Sequence, residues 1–146
     1  MEILDDVIFY HIDKAIRTYR QYAQHEIRKA GYNLTIDQWL LLNLIKEKPE
    51  ISQRELADGV FKDGASINRM LELLVQSGYV KKKAHASDQR KYSLILTASG
   101  LKALNVVAPI VSKNRKQALK GIDTKKIKTM KKTLQSIQKN CVKTED

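Results

Sequence analysis

The feature of this sequence that most constrains its fold is a change in the spacing of apolar residues after Gly78. Upstream, apolar residues recur every three to four positions, which is the period of an amphipathic helix. Downstream, the segments YVKKKAH and KYSLILT alternate instead, with Tyr92, Leu94 and Leu96 on one side and a polar run between the segments. We therefore predict a two-stranded hairpin, with its loop at 86–89, within a mostly α-helical chain.

Two capping boxes precede the hairpin and mark the starts of short helices. Thr35 with Gln38 and Ser52 with Glu55 have the spacing at which each side chain bonds the other residue's backbone N–H. Asp63 lies in a tight Lys-Asp-Gly turn and is a suitable N-cap for the helix ASINRMLELLVQS. Two short helices joined by such a turn predict a helix-turn-helix. The residues expected to face inward are Leu56, Ala57, Val60, Ile67, Met70, Leu71 and Leu74.

Long helical segments flank this module. One helix is predicted from Leu4 to Ala30, and another, containing Pro109, begins at Thr97. The last helix has apolar residues spaced three, four, three and four apart, as on a coiled-coil seam. It either lies on its own domain or forms a homodimer interface with the first helix; we favour the dimer, because flanking helices otherwise have little to pack against. The predicted interface residues are Leu4, Val7, Ile127, Met130, Leu134 and Ile137.

The charge of the chain predicts a polyanionic partner. Its 146 residues have a formal net charge of +11 and a pI near 9.7, which favours nucleic acid first and an anionic membrane surface second. No apolar run approaches the ~18 residues of a membrane span, and the N-terminus opens with acids where a secretory signal would be basic. We expect a cytoplasmic protein that is not bound to a membrane.

Motifs for catalysis or for metal and cofactor binding are missing from the sequence. There is no G-x-S-x-G, no phosphate-binding glycine loop and no cluster of His, Cys and carboxylate residues. His11 and His25 are too far apart on one helix to share a metal ion, and Cys141 is the only cysteine. We expect neither an enzyme nor a cofactor-binding protein. Cys141 is expected to pack as a small apolar residue rather than to sense oxidants.

The second helix of a helix-turn-helix presents its N-terminal residues to base edges in the major groove of DNA. These residues would be Ala65, Ser66, Asn68 and Arg69. Asn68 suits adenine, Arg69 suits guanine or a phosphate, and Ser66 with the helix N-terminus suits phosphate oxygens. Further phosphate contacts are expected at Gln53, Arg54 and Lys82. The alternative for each residue is an exposed polar helix face without a function. The lysines between 113 and 143 are interpreted as a solvated face, with a longer DNA footprint as the alternative.

Three sequence motifs resemble the MarR family of winged helix-turn-helix regulators. The most specific is Asp88-Gln89-Arg90 followed by Leu94, Leu96, Thr97 and, after two more residues, Gly100. Leu34-Thr35 with Gln38 and the run 66–78 are also similar to the family. The resemblance implies a winged helix-turn-helix at 35–100 between dimerisation helices at 1–34 and 101–146.

The resemblance also implies roles for the wing. Arg90 would enter the DNA minor groove, Asp88 would orient it and Lys91 would bind nearby. A surface ion pair that contributes little is the alternative for Asp88 and Arg90. Members of the family often carry a second basic residue further along the recognition helix, whereas Glu72 and Leu73 occur here. This departure leaves base specificity open.

Regulators of this family are commonly released from DNA by a small molecule bound between the dimerisation helices and the winged domain. Residues that could line such a cavity here are His11, Tyr19, Tyr22, Tyr32 and Trp39, although aromatic residues at helical spacing more often form core. The resemblance implies a homodimeric, sequence-specific regulator, usually a repressor, on an inverted repeat of double-stranded DNA. A non-specific architectural DNA binder and a winged-helix protein-interaction module are the alternatives.

Overall fold

The computed structural model describes residues 3–84 and 92–142, and the side chain of Tyr92 also lies outside the described part. The fold is mostly α with a small β wing. Its elements are α1 (Ile8–Lys29), α2 (Ile36–Glu47), α3 (Gln53–Val60), α4 (Gly64–Gln76), β1 (Val80–Ala84), β2 (Tyr92–Leu96), α5 (Ala98–Ala118) and α6 (Thr124–Cys141). Contacts divide the chain into two compact units, Met1–Asn114 and Arg115–Asp146. The predicted functional boundaries at 34/35 and 100/101 stay a prediction.

The first predicted helix begins later than the sequence indicated. A 3-10 turn occupies Leu4–Asp6, Val7 is extended, and α1 starts at Ile8. Leu4 and Val7 therefore do not continue the face of α1, which corrects the predicted helix from Leu4. The physical reason is local: no side chain caps α1, while His11 donates a hydrogen bond through Nε2 to the backbone carbonyl of Asp5. The other end is as predicted, with Gly31 at φ 92°.

Helices α3 and α4 form the predicted helix-turn-helix, and α2 precedes them. Both capping boxes are present, with Gln38 N 3.1 Å from Thr35 Oγ1 and Glu55 N 3.1 Å from Ser52 Oγ. The expected inward residues of α3 and α4 are buried, except that Met70 is half-buried. Phe61 is the C-cap that follows α3; its φ of 60° is left-handed and the residue is 91% exposed.

The hairpin that follows α4 has the predicted period. β1 and β2 pair antiparallel, with Val80 opposite Leu96 and Lys82 opposite Leu94. Val80 and Leu94 are buried, so this face of the hairpin packs on the core. The predicted loop at 86–89 lies outside the described residues. Gly78, at φ 79°, makes the turn from α4 into β1, as the sequence predicted.

One core connects the elements of the first unit. It includes Ile27 of α1, Trp39 of α2, Leu56 of α3 and Val107 of α5. Gln24 of α1 holds the segment before α2, because its amide donates to Leu34 O at 2.9 Å and accepts from Ile36 N at 3.2 Å. Ile67, Leu71 and Leu74 of α4 belong to the same core.

The second unit contains the end of α5 and all of α6. Gly121, at φ 78°, separates the two helices, and Asp123 caps α6 by accepting a hydrogen bond from Lys125 N at 3.0 Å. None of the residues of α6 is buried. Ile127, Leu134 and Ile137 are half-buried, whereas Met130 is 56% exposed. The spacing of the apolar stripe is helical as predicted, and its role as a dimer interface stays a prediction.

Candidate nucleic-acid interface

Helix α4, the predicted recognition helix, presents one polar edge to solvent because its opposite edge is packed in the core. Ile67, Leu71 and Leu74 are buried, and they fix the rotation of the helix about its axis. Of the four residues predicted to face DNA, Ala65, Asn68 and Arg69 are exposed and Ser66 is half-buried. The four residues lie within the first two turns of α4.

Two long hydrogen bonds join polar side chains on this surface. Gln53 Nε2 lies 3.4 Å from Asn68 Oδ1, which connects the first turn of α3 to α4. Within one turn of α4, Arg69 Nη2 lies 3.5 Å from Ser66 Oγ. The structure thus brings together a predicted phosphate contact, Gln53, and the predicted adenine-reading residue, Asn68. Arg54, next to Gln53, is exposed.

The N-terminus of α4 is occupied by a carboxylate of the chain itself. Asp63 Oδ1 accepts the backbone N–H of Ser66 at 2.7 Å. Hydrogen bonds from the backbone and hydroxyl of Ser66, with smaller contributions from Arg69 and the backbone of Ala65, hold the pKa of Asp63 below its ordinary value. The N–H of Ser66 is therefore already paired. The predicted phosphate contact at the N-terminus of α4 stays a prediction.

A network of charges behind the turn was not predicted from the sequence. Arg20 of α1 contacts Asp37 of α2 at 2.5 Å, and Lys62, in the turn before α4, lies 3.8 Å from the other oxygen of the same carboxylate. Asp37 has 17% side-chain exposure. Its carboxylate is paired with these two cations, which offset its charge where water reaches it little. In the sequence, Asp37 is recognisable only as an acid in the first turn of a helix, where acids are common. That position does not indicate which cations contact it.

An open cavity of about 440 Å³ borders this network. Its lining includes Asp37, Lys62, Ser66, Arg69 and Leu73, so it lies between the start of α2 and one side of the recognition helix. Two of these residues, Ser66 and Arg69, were predicted to face DNA. None of the five aromatic residues predicted for an effector cavity lines this one.

The five aromatic residues have different environments. His11 and Tyr22 are exposed, Tyr19 and Tyr32 are half-buried, and Trp39 belongs to the core. Nε1 of Trp39 is buried without a hydrogen-bond partner in the part of the chain that the structure describes. These placements leave the predicted effector cavity a prediction.

The described part of the wing positions three consecutive lysines. Lys82 points to the same face as Val80, and its Nζ lies 3.6 Å from Glu72 of α4. Lys81 and Lys83 lie on the other face, as alternation predicts. The predicted phosphate contact at Lys82 is thus an ion-pair partner of the recognition helix. Asp88, Arg90 and Lys91, predicted to act in the wing, lie outside the described residues.

Neither a candidate metal site nor a candidate membrane-spanning helix occurs among residues 3–84 and 92–142. Over these ranges, no group of three His, Cys, Asp or Glu side chains could hold a metal ion. None of the helices described there is long and apolar enough to cross a lipid bilayer.

The surface formed by α3, α4 and β1 lies in a segment that matches the model of a protein family. Residues 32–91 match the model of the MarR family, and this segment contains the capped helices α2 to α4 and strand β1. Over these residues the chain is similar to the MarR family. In this similarity α4 occupies the position of the recognition helix and the β1–β2 hairpin that of the wing.

Solved structures extend the similarity in fold to nearly the whole chain. BpsR of Bordetella bronchiseptica, whose DNA binding is regulated by 6-hydroxynicotinic acid, is 15% identical with a TM-score of 0.84, over 94% of this chain and 97% of that one. CouR of Rhodococcus jostii, bound to p-coumaroyl-CoA, is 22% identical with a TM-score of 0.80, over 99% and 100%. A MarR mutant from E. coli complexed with operator DNA is 18% identical with a TM-score of 0.82, over 94% and 99%. The MarR-like fold therefore includes the helices on both sides of the matched domain.

Proposed function

We propose that the protein is a homodimeric transcriptional repressor that binds an inverted-repeat operator in double-stranded DNA. The observation that carries this proposal is the orientation of α4. Its first two turns expose Asn68 and Arg69, while three buried aliphatic side chains hold the opposite edge in the core. A helix so presented fits the major groove, where Asn can pair with adenine and Arg with guanine.

The remaining contacts would position helices α3 and α4 on the DNA. Gln53 and Arg54 lie at the start of α3, where side chains of a helix-turn-helix contact phosphates. In the wing, Arg90 would enter the minor groove, with Asp88 orienting it and Lys91 beside it. The operator complex of the MarR mutant from E. coli supports duplex DNA as the partner.

The homodimer is supported by apolar side chains that a single chain leaves uncovered. Leu4 is 64% exposed, Ile8 60% and Met130 56%. In the first unit, Val7 is half-buried. In the second unit, the half-buried Ile127, Leu134 and Ile137 lie on the same helical stripe as Met130, and a stripe of neighbouring apolar side chains favours an interface more than isolated ones do. A two-fold dimer places two copies of α4 symmetrically, which is why the operator would be an inverted repeat.

A small-molecule effector belongs to the same proposal. The relatives that respond to 6-hydroxynicotinic acid or bind p-coumaroyl-CoA support a ligand-responsive regulator. His11, Tyr19, Tyr22 and Tyr32 would contribute aromatic surface, and Trp39 would contribute its buried N–H as a donor to an oxygen of the ligand. The proposal places the protein in the cytoplasm, acting on DNA without catalysis or a cofactor.

The decisive experiment is selection of duplexes from a random library at physiological salt, followed by titration of the selected duplex against random DNA. We expect an inverted repeat that is preferred by at least ~10³. Arg69→Ala should reduce that preference by about 1–3 kcal/mol, whereas Arg28→Ala, an exposed cation on α1, should not.

One alternative has a specific observation in its favour. Glu72 and Leu73 follow Arg69, so α4 lacks a second basic residue for base reading, while the net charge is +11. A non-specific architectural binder would have these properties. Duplex binding without enrichment of any sequence, or equal affinity for selected and random duplexes, would support that alternative, whereas absence of any duplex binding would support a protein-interaction module.

A further inference from the structure

The positive charge of this chain is concentrated outside the winged module. Residues 115–146 contain ten Lys and Arg against three Asp and Glu, a net +7 of the total +11. The first 114 residues contain seventeen against thirteen. The C-terminal unit therefore has the higher charge density, although none of the proposed base-reading residues lies in it.

The lysines of α6 are arranged on a defined face. Lys125, Lys128, Lys132 and Lys139 fall within about 60° of one another around the helix, at 100° per residue. This lysine stripe lies on the side opposite the apolar stripe of α6. Lys126 and Lys131 lie outside the lysine stripe, about 90–130° from its centre. All six lysines are exposed.

Electrostatics within the helix does not account for this arrangement. α6 contains no Asp or Glu from Thr124 to Cys141, and none of its lysines forms an ion pair within the described residues. Lys128 and Lys132 are four residues apart, where like charges repel, and Lys125 and Lys126 lie in the first turn, where the helix dipole disfavours cations. By contrast, α1 pairs Arg17 with Asp13 across one turn. Within the lysine stripe, only Lys139, in the last turn, is placed where the helix dipole favours a cation, and an anion against the stripe would offset the repulsion between Lys128 and Lys132.

We propose that the lysine stripe of α6 binds the phosphate backbone of duplex DNA, as a second contact surface separate from the winged module. The stripe is about 21 Å long, which corresponds to the rise of about six base pairs. Phosphate charges along a duplex are dense enough to meet each lysine over that length. The inference takes duplex DNA as the polyanion from the proposed function, and it adds a contact without base specificity.

The opposite placement of the two stripes favours DNA over a membrane surface. A helix that lies on a lipid bilayer inserts its apolar face between flanking lysines; in α6 Lys126 and Lys131 lie on either side of the apolar stripe and would have that role, whereas the lysine stripe would not. In α6 the lysine stripe contains no apolar residue, so contact through it would leave Ile127 and Leu134 facing away from the anion. The apolar stripe remains available for the proposed dimer while the lysine stripe binds phosphates.

The test compares two double variants with the same change in charge on the same helix. Lys128→Gln with Lys132→Gln removes half of the stripe, whereas Lys126→Gln with Lys131→Gln removes two lysines outside it. Glutamine is a good helix former, so both variants should fold. Affinity for the selected duplex and for random duplex is measured by fluorescence anisotropy between 0.05 and about 0.3 M salt.

The stripe variant should bind both duplexes about 30-fold more weakly at 0.15 M salt and lower the salt slope by about 1.8, since each lost phosphate contact removes about 0.9. The control variant should change affinity less than about threefold. Equal losses in the two variants, or none in either, would overturn the inference. So would loss of binding to phosphatidylserine vesicles with DNA binding retained, which would point to a membrane.

These outcomes are separate from those that test the proposed function. If the unmodified protein prefers no sequence but the stripe variant loses duplex binding, the repressor proposal fails and the stripe inference stands. If the protein prefers an inverted repeat and the two double variants bind DNA equally well, the repressor proposal stands and the stripe inference fails. Absence of any duplex binding by the unmodified protein would overturn both.

Discussion

Among single residues, Gly100 has the least room for a side chain. A Cβ at this position would lie 2.1 Å from the backbone oxygen of Tyr79, which also accepts the N–H of Thr97 at 3.0 Å. The hydroxyl of Thr97 caps α5 by accepting Gly100 N at 3.0 Å. The Thr and Gly of the wing motif thus have a structural reason: α5 begins directly against the turn between α4 and β1.

We expect Gly100→Ala to destabilise the protein by about 1–3 kcal/mol, because the backbone of α5 must move away from Tyr79. Urea unfolding measures the loss. Gly64→Ala is the matched control, since a Cβ there has nothing within 4 Å, and it should leave stability unchanged or raise it. Wild-type stability of the Gly100 variant would contradict the close approach.

Asp63 predicts a dependence of stability on pH. Its pKa is lowered in the folded state by the hydrogen bonds from Ser66, so the folded protein binds its proton less readily than the unfolded chain does. The stabilisation is present above the ordinary aspartate pKa and is lost as the pH falls through the lower folded value. The stability advantage of the native protein over Asp63→Asn should therefore shrink between pH 5 and about pH 3 in urea titrations. An advantage that does not change over this range would contradict the role of the charged cap.

At the scale of elements, Asp37 joins α1, α2 and the turn before α4. Its carboxylate meets Arg20 from α1 and Lys62 from the turn before α4, so one side chain of α2 ties the long helix to the recognition helix. Such a partly buried pair contributes more than an exposed one, because water screens it less.

We expect Asp37→Asn to lower the free energy of unfolding by about 1 kcal/mol, a figure reduced from that of buried pairs because Arg20 is 40% exposed. Asp13→Asn breaks the pair of Asp13 with Arg17, whose side chains are 59% and 75% exposed, and should cost less than about 0.5 kcal/mol. Chemical denaturation compares the two variants. Equal effects would show that Asp37 does not act as a tie between the helices.

For the whole molecule, the proposed dimer predicts a mass twice the 16.7 kDa of the chain. Leu134→Asp would place a charge in the apolar stripe of α6 and should shift sedimentation toward the monomer. Gln135→Asp makes a similar change on a neighbouring, exposed position outside that stripe and should leave the mass unchanged. A monomeric unmodified protein at micromolar concentration would contradict the dimer and, with it, the inverted repeat.

Local chemistry made much of the fold predictable from the sequence. The capping boxes at Thr35 and Ser52, the Asp63 cap and the left-handed Gly78 all depend on hydrogen bonds or backbone angles within a few residues. Alternation similarly indicated the face of the hairpin that carries Leu94. The motifs of the wing and of the recognition helix were sufficient to indicate the family, because each of them is a short run of neighbouring residues.

Contacts between residues far apart in the chain were decided only by the tertiary structure. Arg20, Asp37 and Lys62 meet in the structure, but their spacing along the sequence follows no helical or strand period. The same is true of the hydrogen bond between Gln53 and Asn68 and of the close approach of Gly100 to Tyr79. The late start of α1 belongs with these, since the turn before it is held by a contact from His11 back to Asp5. The sequence by itself determined which segments are helix or strand and which faces are apolar, because those properties arise from neighbouring residues. Which polar side chains meet was decided by helix packing, because burial of the shared core fixes the positions of the helices that carry them.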